Sequence, residues 1–335
     1  METHALTDDI HQVLVGFIDR GERFALATVL EASGSTPAKA GTKAIIDSTG
    51  SIWGTVGGGL PEARAIQAAV EAIREARPAV LDLKLAGASA DDDVPICGGN
   101  MRILLDPGAA AHRAAYAAAA AARQQRERGA LVTTVRGTAP PGVSVEWFAA
   151  NRISTDPAPP DAEAIASVLA RETPAHFVEP SPQAGPSAET LIEPVVPTPH
   201  LVIVGGGHVG QALARQAGLV GFAITIVEDR ADFARPDLFP GGATIRCGNI
   251  TSILDDLGAD RDTYIAIMTR GHQHDADALA ACLRKPAAYL GMIGSQRKVA
   301  MIREAFLGSG LAGEAEFERV HAPIGLDIGA QTVPE

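Results

Sequence analysis

An α/β protein is the fold class that this sequence predicts, with a parallel sheet between two layers of helices in its C-terminal part. A β-prone apolar run at residues 201–204 leads directly into a glycine-rich turn, and a helical pattern follows at 211–217. A second β-prone run at 223–227 ends in the acidic residue Glu228. This alternation of strands and helices predicts parallel strands joined by right-handed crossovers.

The glycine turn contains Gly205, Gly207 and Gly210 in the spacing G-x-G-x-x-G. In dinucleotide-binding turns, the first glycine permits the tight turn, the second lets the backbone approach a pyrophosphate, and the third lets the helix pack against the strand. Amide groups at the start of the helix then face an anion. The sequence therefore predicts a Rossmann-like C-terminal domain, in which His208 anchors the loop or faces the ligand. A glycine turn selected for packing alone is the alternative.

Glu228 lies about 20 residues after the glycine turn, where an acid commonly accepts a hydrogen bond from a ribose hydroxyl. Arg230 suits a phosphate instead, so the sequence leaves the choice of nucleotide open. The later predicted strands, 264–268 and 288–293, place the loops that follow them at the same carboxyl edge of the sheet.

The loop at residues 269–275 carries His272, His274 and Asp275. These residue types suit acid–base chemistry or metal binding, but two histidines two residues apart do not complete a metal site, and no metal is expected. Asp275 as the N-cap of a helix at 276–283 is the structural alternative.

Ser295 precedes another predicted helix, which begins with the basic residues Arg297 and Lys298. Positive charges at a helix start oppose the macrodipole, so a bound anion would relieve a local cost. A solvated basic turn is the alternative interpretation.

Composition excludes several classes of protein. The chain has 335 residues, enough for two domains, and its 46% hydrophobic content supports a packed core. A formal net charge of -12 argues against nucleic acid or an anionic membrane as a partner. The three cysteines show no CxxC or zinc spacing, and residues 1–9 show no signal-peptide pattern. With no apolar run long enough to span a bilayer, the sequence predicts a cytoplasmic protein.

The N-terminal part, residues 1–150, predicts a mixed α+β domain. Gly57, Gly58 and Gly59 precede a helical pattern and form a second candidate anion nest, with a flexible strand–helix corner as the alternative. The polar loop at 33–41 offers hydroxyl and amide groups for a phosphate or pterin, or is a solvated loop. Cys97, beside Gly98 and Gly99, is a candidate soft ligand or sulfur carrier, or an inert buried thiol.

Residues 151–199 differ in composition from both flanking parts because prolines cluster there. This segment predicts a linker with one short helix, near 162–170, and a candidate edge strand at 190–196. The predicted domains are therefore 1–150, 151–199 and 200–335.

Seven segments together resemble the xanthine dehydrogenase accessory (XdhC/CoxI) family. They occur in family order at residues 27–37, 54–59, 97–99, 204–210, 269–275, 291–295 and 321–330. The resemblance implies a cytoplasmic maturation factor that binds molybdenum cofactor (molybdopterin), protects it, and inserts it into a molybdenum hydroxylase apoenzyme. It also implies a homodimer and contact with a cysteine desulfurase, without turnover chemistry or a catalytic residue in this chain.

With Glu228 and Arg297 added from the residue patterns, the candidate cofactor-binding set is Ser35, Thr36, Gly57, Gly58, Gly59, Cys97, Gly98, Gly99, Gly205, Gly207, His208, Gly210, Glu228, Arg270, His272, Asp275, Ser295 and Arg297. Leu60 departs from the family pattern, since many members carry a cysteine directly after the triple glycine. A site with two thiols is therefore not expected here. The family also usually continues beyond Glu335 into a last helix.

Two other functions fit the same patterns. One is an NAD(P)-dependent oxidoreductase, favoured by the glycine turn and Glu228. The other is a nucleotide-sensing interaction protein, in which ligand binding controls partner docking. Bound molybdopterin, bound NAD(P) with turnover, or bound nucleotide without turnover would distinguish the three functions.

Overall fold

The computed structural model describes residues 9–85, 98–137, 140–153, 161–179 and 188–333, with His272 described by its backbone alone. The chain divides into two compact units, Met1–Pro197 and Thr198–Glu335. In the described part of the chain, no helix combines the length and the apolar character needed to cross a membrane.

The first unit contains a five-stranded antiparallel sheet in the order β3-β2-β1-β5-β4. Its strands are β1 (Phe24–Ser33), β2 (Lys43–Asp47), β3 (Ile52–Gly54), β4 (Ala79–Lys84) and β5 (Asn100–Asp106). Helices α1 (Ile10–Asp19) and α2 (Gly59–Glu75) belong to the same unit. Because side chains alternate along a strand, β1 buries Ala25 and Ala27 with α2 and buries Phe24 and Leu26 with α1.

A second antiparallel sheet in this unit has the order β7-β6-β9-β8. Its strands are β6 (Gly129–Arg136), β7 (Gly142–Ala149), β8 (Ala175–Glu179) and β9 (Ala188–Val195), and helices α3 (Arg113–Gln124) and α4 (Ala162–Arg171) accompany them. The predicted helix of the 151–199 segment therefore corresponds to α4.

The structure differs from the prediction of a linker at residues 151–199. β8 and β9 of this segment are paired strands, and the first unit extends to Pro197. The candidate strand at 190–196 is present as β9, but it is not an edge strand, since β9 pairs with β6 on one side and β8 on the other. The pairing with β8 ends at Ile192, so Pro194 lies beyond it, where the missing amide hydrogen costs no bond to β8.

Three residues of β9 connect the two sheets. Glu189, Leu191 and Glu193 are all buried, and their period-2 spacing places them on one face of the strand. Glu189 forms an ion pair with Arg102 of β5, Glu193 forms one with Lys43 of β2, and Leu191 packs with residues of both sheets. This strand is therefore an integral part of the core of the first unit.

The second unit is a six-stranded parallel sheet in the order β12-β11-β10-β13-β14-β15. The strands are β10 (His200–Val204), β11 (Ala223–Glu228), β12 (Thr244–Cys247), β13 (Thr263–Ile267), β14 (Tyr289–Met292) and β15 (Val320–His321). The helices are α5 (His208–Leu219), α6 (Ile250–Asp255), α7 (His272–Cys282), α8 (Gln296–Gly308) and α9 (Glu314–Phe317). The strand order reverses at β10, which is the position where ligands bind in sheets of this kind.

Helices cover both faces of this parallel sheet. Val202 and Val204 of β10 pack into a cluster that includes residues of α6, α7 and α8, whereas Leu201 and Ile203 pack against α5. The sequence-based prediction of a Rossmann-like C-terminal domain and a mixed N-terminal α+β region is confirmed.

Candidate functional site

Three glycines of the turn after β10 are required by the packing of the chain itself. A Cβ atom added at Gly205, which has a φ of 119°, would lie 2.4 Å from the carbonyl oxygen of Met268. At Gly206 it would lie 2.4 Å from the oxygen of Phe233, and at Gly210 only 2.0 Å from the oxygen of Gly205. These glycines fit the predicted roles in the tight turn and in helix–strand packing.

Gly207 differs from those three glycines. Its φ is -67°, which suits any residue, and a Cβ atom there would meet nothing within 4 Å. Gly207 is the N-cap of α5, whose first-turn amide groups lack acceptors within the helix. An open space therefore lies beside these amides and the positive end of a helix dipole, an arrangement that accommodates an anion. His208 is exposed at the first position of this helix.

Glu228, expected to contact a ribose, is instead bound within the protein. Its side chain is 2% exposed and accepts hydrogen bonds from the amides of Gly206, Asp229 and Arg230 and from the guanidinium of Arg230. Burial raises the pKa of Glu228, but the bonds from Arg230 and the Gly206 amide outweigh that effect and lower the pKa to about 2. Glu228 thus fastens the glycine turn to the end of β11.

Arg230, the alternative phosphate ligand, is held in the same network. Its guanidinium forms two bonds to Glu228, of 2.9 and 3.1 Å, and its Cζ atom lies 3.9 Å from the centroid of the Phe233 ring. The cation–π contact and the two-pronged ion pair fix the side chain together. A phosphate at this position would have to displace Arg230 from both partners.

Asp275 is not the N-cap of the following helix, and that interpretation is wrong. The helix α7 begins at His272 with Gly271 as its N-cap, which places Asp275 within the first turn. Asp275 is 0% exposed and accepts hydrogen bonds from the amide and hydroxyl of Thr269, at 2.9 and 2.6 Å. Its second carboxylate oxygen pairs with the ammonium group of Lys298. Asp275 therefore holds the loop after β13 in place, while His274 is exposed.

The basic start of α8 is neutralised within the protein. Lys298 pairs with Asp275, and the Ser295 side chain caps the helix by accepting from the Lys298 amide at 3.3 Å. Arg297 is exposed. The expected cost of two cations at the helix start is thus partly relieved without an external anion.

Arg270 lies close to the glycine turn, in the loop after β13. Its Nη2 atom donates to Asp229 Oδ2 at 3.2 Å, and its side chain is 57% exposed. The structure therefore brings seven candidate residues to one edge of the sheet, at the ends of β10, β11, β13 and β14 or in the loops and first helical turns that follow them: Gly205, Gly207, Gly210, Glu228, Arg270, Asp275 and Ser295.

The triple glycine of the first unit is partly occupied by a neighbouring carboxylate. Gly58 is the N-cap of α2, and Glu62 in the first turn of that helix accepts from the amides of Val56 and Gly58, both at 3.3 Å. Glu62 also accepts from the Thr55 hydroxyl at 2.7 Å. An external anion at this turn would have to compete with Glu62 for these amides. The sequence analysis did not predict this role of Glu62, although an acid in the first turn is a known signal of a helix start.

The two other motifs of the first unit meet each other. A Cβ atom at Gly99 would lie 2.5 Å from the carbonyl oxygen of Ser35 and 2.6 Å from Cγ2 of Thr36, and one at Gly34 would lie 2.9 Å from the oxygen of Gly98. Both segments therefore need glycine for their close approach. Pro37, which follows Ser35 and Thr36, also lies against Gly57. Cys97 lies outside the described residues, and Leu60 is 37% exposed near the start of α2.

The comparisons with known proteins agree with this arrangement. A family model described as the XdhC Rossmann domain matches residues 201–335, and one described as the XdhC and CoxI family matches residues 17–84. YqeB, an uncharacterized protein of Escherichia coli strain K12, is 24% identical over 313 residues, which are 93% of this chain and 41% of that protein. A protein of Bacillus subtilis strain 168, described as a probable component of xanthine dehydrogenase, is 22% identical over 150 residues, which are 45% of this chain and 43% of that protein.

The chain thus spans less than half the length of the curated relatives that it matches. A crystal structure at 2.80 Å resolution, described as a xanthine dehydrogenase from Bacillus halodurans, superposes with a TM-score of 0.69 at 19% identity. The superposition covers 97% of this chain and 91% of that chain, and it shows a shared fold. The two family models match nearly all of the parallel-sheet unit and strands β1 to β4 of the first sheet. The chain belongs to the XdhC and CoxI family.

Proposed function

We propose that this chain is an accessory factor that binds molybdenum cofactor and inserts it into a xanthine dehydrogenase-type molybdenum hydroxylase. Membership of the XdhC and CoxI family supports this role. The names of the Bacillus subtilis and Bacillus halodurans relatives, which both refer to xanthine dehydrogenase, support it as well. Transient contact with a cysteine desulfurase and a homodimeric state remain predictions of the family resemblance.

The open space at Gly207 is the observation that carries the proposal. Molybdopterin ends in a phosphate, and its dinucleotide forms contain a pyrophosphate. A phosphate beside Gly207 would receive hydrogen bonds from the first-turn amides of α5 and would face the positive end of the helix dipole. A Cβ atom at Gly207 would meet nothing within 4 Å, so the backbone there is accessible to a ligand.

The first unit offers a less suitable phosphate site. The amides of Val56 and Gly58 already donate to Glu62, and placing a phosphate there would bring two anions together. We therefore assign the phosphate end of the cofactor to the glycine turn of the second unit.

The test is to purify the full chain from a host that makes molybdenum cofactor and to identify the bound small molecules by mass spectrometry. We expect molybdopterin or its dinucleotide with the wild-type chain and at least tenfold less with Gly207→Ala, because the added methyl group occupies the phosphate space. Gly241→Ala is the matched control, since a Cβ atom there also meets nothing within 4 Å. Equal retention by both variants would place the cofactor elsewhere.

An NAD(P)-dependent oxidoreductase is the second candidate, favoured by the strand order and the glycine turn. For this function the same purification would yield NAD(P), and substrate would change the absorbance of the nicotinamide. Asp275, one of the residues considered for acid–base work, is already bonded to Thr269 and Lys298, which weighs against this candidate.

A further inference from the structure

Strand β8 lies at a free edge of the second antiparallel sheet of the first unit. It ends the strand order β7-β6-β9-β8, and among the described residues the strand that pairs with it is β9. The outer side of an edge strand presents a row of backbone amides and carbonyls, which is a template for pairing with another chain. A further strand can therefore be added to this sheet beside β8.

The side chains of β8 distinguish it from the other free edges. Of the large hydrophobic side chains that are exposed in the described part of the chain, two belong to strands, and both lie on β8: Phe177 and Val178, at 45% and 52% exposed. Proteins commonly protect free edges by short length or by charge. β3, β12 and β15 have four residues or fewer, β4 contains Asp82 and Lys84, and β7 exposes Glu146. The centre of β8 has neither form of protection.

The strand is suited to pairing with a second copy of itself. It has five residues, Ala175–Glu179, and Phe177 is the central one. A two-fold axis through Phe177, perpendicular to the sheet, makes the two copies of β8 antiparallel and pairs every residue of the strand. In this register Phe177 lies opposite Phe177, an aromatic cross-strand pair of the kind that stabilises antiparallel sheets. The alternation of backbone groups along the strand gives about four to six hydrogen bonds between the copies.

The groove beside β8 supports the same register. A groove of about 620 Å³ lies between α4 and β8, and Arg171, Ala175 and Phe177 are among its lining residues. Opposite residues of an antiparallel pair project to the same face, so Phe177 of the second copy also lies on the groove side of the sheet. The register places Glu179 of one copy opposite Ala175 of the other, on the side of the sheet where Arg171 ends α4. Apolar and charged groups therefore both find complements across the axis.

We propose that β8 is the surface through which two copies of this chain associate, with the two-fold axis at Phe177. The four-stranded sheets of the two copies then join into one continuous antiparallel sheet. Such an interface is isologous, since each copy contributes the same residues. Association covers Phe177 and Val178 and pairs the free edge. The inference does not depend on the proposed function, because it involves neither glycine turn.

Sedimentation velocity of the full chain over a range of concentrations tests this surface, with Phe177→Lys and Phe177→Glu as variants. The wild-type chain should sediment with the mass of two chains. Each variant alone should raise the Kd of the dimer at least about tenfold, because like charges lie opposite each other at the axis and the aromatic pair is lost. Leu219→Lys is the matched control. Leu219 is 75% exposed at the end of α5, so the dimer should be unchanged.

A mixture of the two variants separates the register from a general loss of stability. Phe177→Lys and Phe177→Glu chains should form a mixed dimer at least about tenfold more tightly than either variant associates with itself. The reason is that the axis brings the ammonium group of one copy opposite the carboxylate of the other. Thermal melting of each variant checks that the fold is retained.

Four results would overturn the inference. The first is a wild-type chain that remains a monomer at every concentration, and the second is a dimer that neither Phe177 variant weakens. The third is a pair of variants that dissociate alone and do not recombine when mixed. The fourth is a dimer that Leu219→Lys dissociates and Phe177→Lys does not, which would place the interface at the end of α5. None of these results bears on molybdopterin retention, which tests the proposed function separately.

Discussion

The two glycine-rich turns of this chain look alike in sequence, but they differ in the position of the carboxylate that accepts hydrogen bonds from their amides. In the first unit, Glu62 lies within the helix that follows and accepts from Val56 and Gly58 at the start of that helix. In the second unit, Glu228 comes from the neighbouring strand and accepts from Gly206 within the turn. That bond fastens the turn and leaves the first turn of α5 open beside Gly207.

This difference teaches that a strand–glycine–helix pattern does not by itself define an anion site. The position of the nearest acid decides whether the amides remain available. An acid in the first helical turn can fill the nest, whereas an acid at the end of the adjacent strand can support it.

The largest expected effect is on stability and comes from Glu228→Ala. The substitution removes a buried carboxylate, leaving the Gly206 amide and the guanidinium of Arg230 without their partner. Loss of one member of a buried pair typically costs 3–5 kcal/mol, and the partial exposure of Arg230 places our expectation at about 3 kcal/mol. Urea unfolding monitored by circular dichroism measures this loss; a cost below about 1 kcal/mol would show that Glu228 does not fasten the turn.

A pH dependence of similar size is expected from the same carboxylate. The pKa of Glu228 is lowered from 4.5 to about 2, so its contribution to stability is complete above pH 4.5 and is lost as pH falls toward 2. A shift of this size corresponds to about 3 kcal/mol.

The pH experiment compares the unfolding free energy of the wild-type chain with that of Glu228→Gln between about pH 6 and pH 2.5, a range that covers most of the expected loss. Glu189 of the first unit also has a pKa of about 2, because bonds from His176 and Arg102 outweigh the effect of its burial. It is present in both chains, so the difference between their unfolding free energies isolates Glu228. The difference should shrink as the pH falls. A constant difference would contradict the assigned pKa.

Replacing single glycines by alanine should lower the stability by less than Glu228→Ala does, and by different amounts at different positions. Gly210→Ala places a methyl carbon 2.0 Å from the oxygen of Gly205, and overpacking of this kind costs about 2–3 kcal/mol. A Cβ atom at Gly59 would meet nothing within 4 Å, so the cost of Gly59→Ala comes only from its left-handed φ of 56° and is about 1 kcal/mol. Thermal unfolding of both variants measures the contrast, and equal losses would remove it.

The smallest effect is expected from Glu62→Gln in the first unit. The neutral side chain keeps its shape but weakens the bonds from Val56 and Gly58, which should cost about 1 kcal/mol or less. It should also make this turn receptive to anions, so that added phosphate raises the melting temperature of Glu62→Gln more than that of the wild type. An identical response in both chains would show that Glu62 does not block the nest.

Local patterns in the sequence are sufficient to predict the parallel sheet, the glycine turn and the helix after it. β-prone runs, glycine spacing and helical periodicity are each visible within a few residues. The partners of the acidic residues cannot be predicted in this way. Lys43 and Glu193 are 150 residues apart in sequence, and their pairing depends on how two sheets pack.

The site residues show the same limit. The position of Glu228 suggests a ribose ligand, but its side chain binds Arg230, whose orientation depends on the stacking on Phe233 in the loop. The sequence pattern predicts Asp275 as a helix cap because it places the start of α7 at Ala276, four residues after the observed start at His272. Helix ends without a side-chain cap, such as this one at Gly271, leave little signal in the sequence.

Anaerobic equilibrium dialysis of the full chain against molybdopterin tests the central claim most directly, with Gly207→Ala and Gly59→Ala compared with the wild type. The open turn of the second unit predicts that Gly207→Ala weakens binding at least tenfold, while Gly59→Ala binds as the wild type does. Weakened binding in Gly59→Ala together with unchanged binding in Gly207→Ala would contradict the account and place the cofactor at the triple glycine of the first unit.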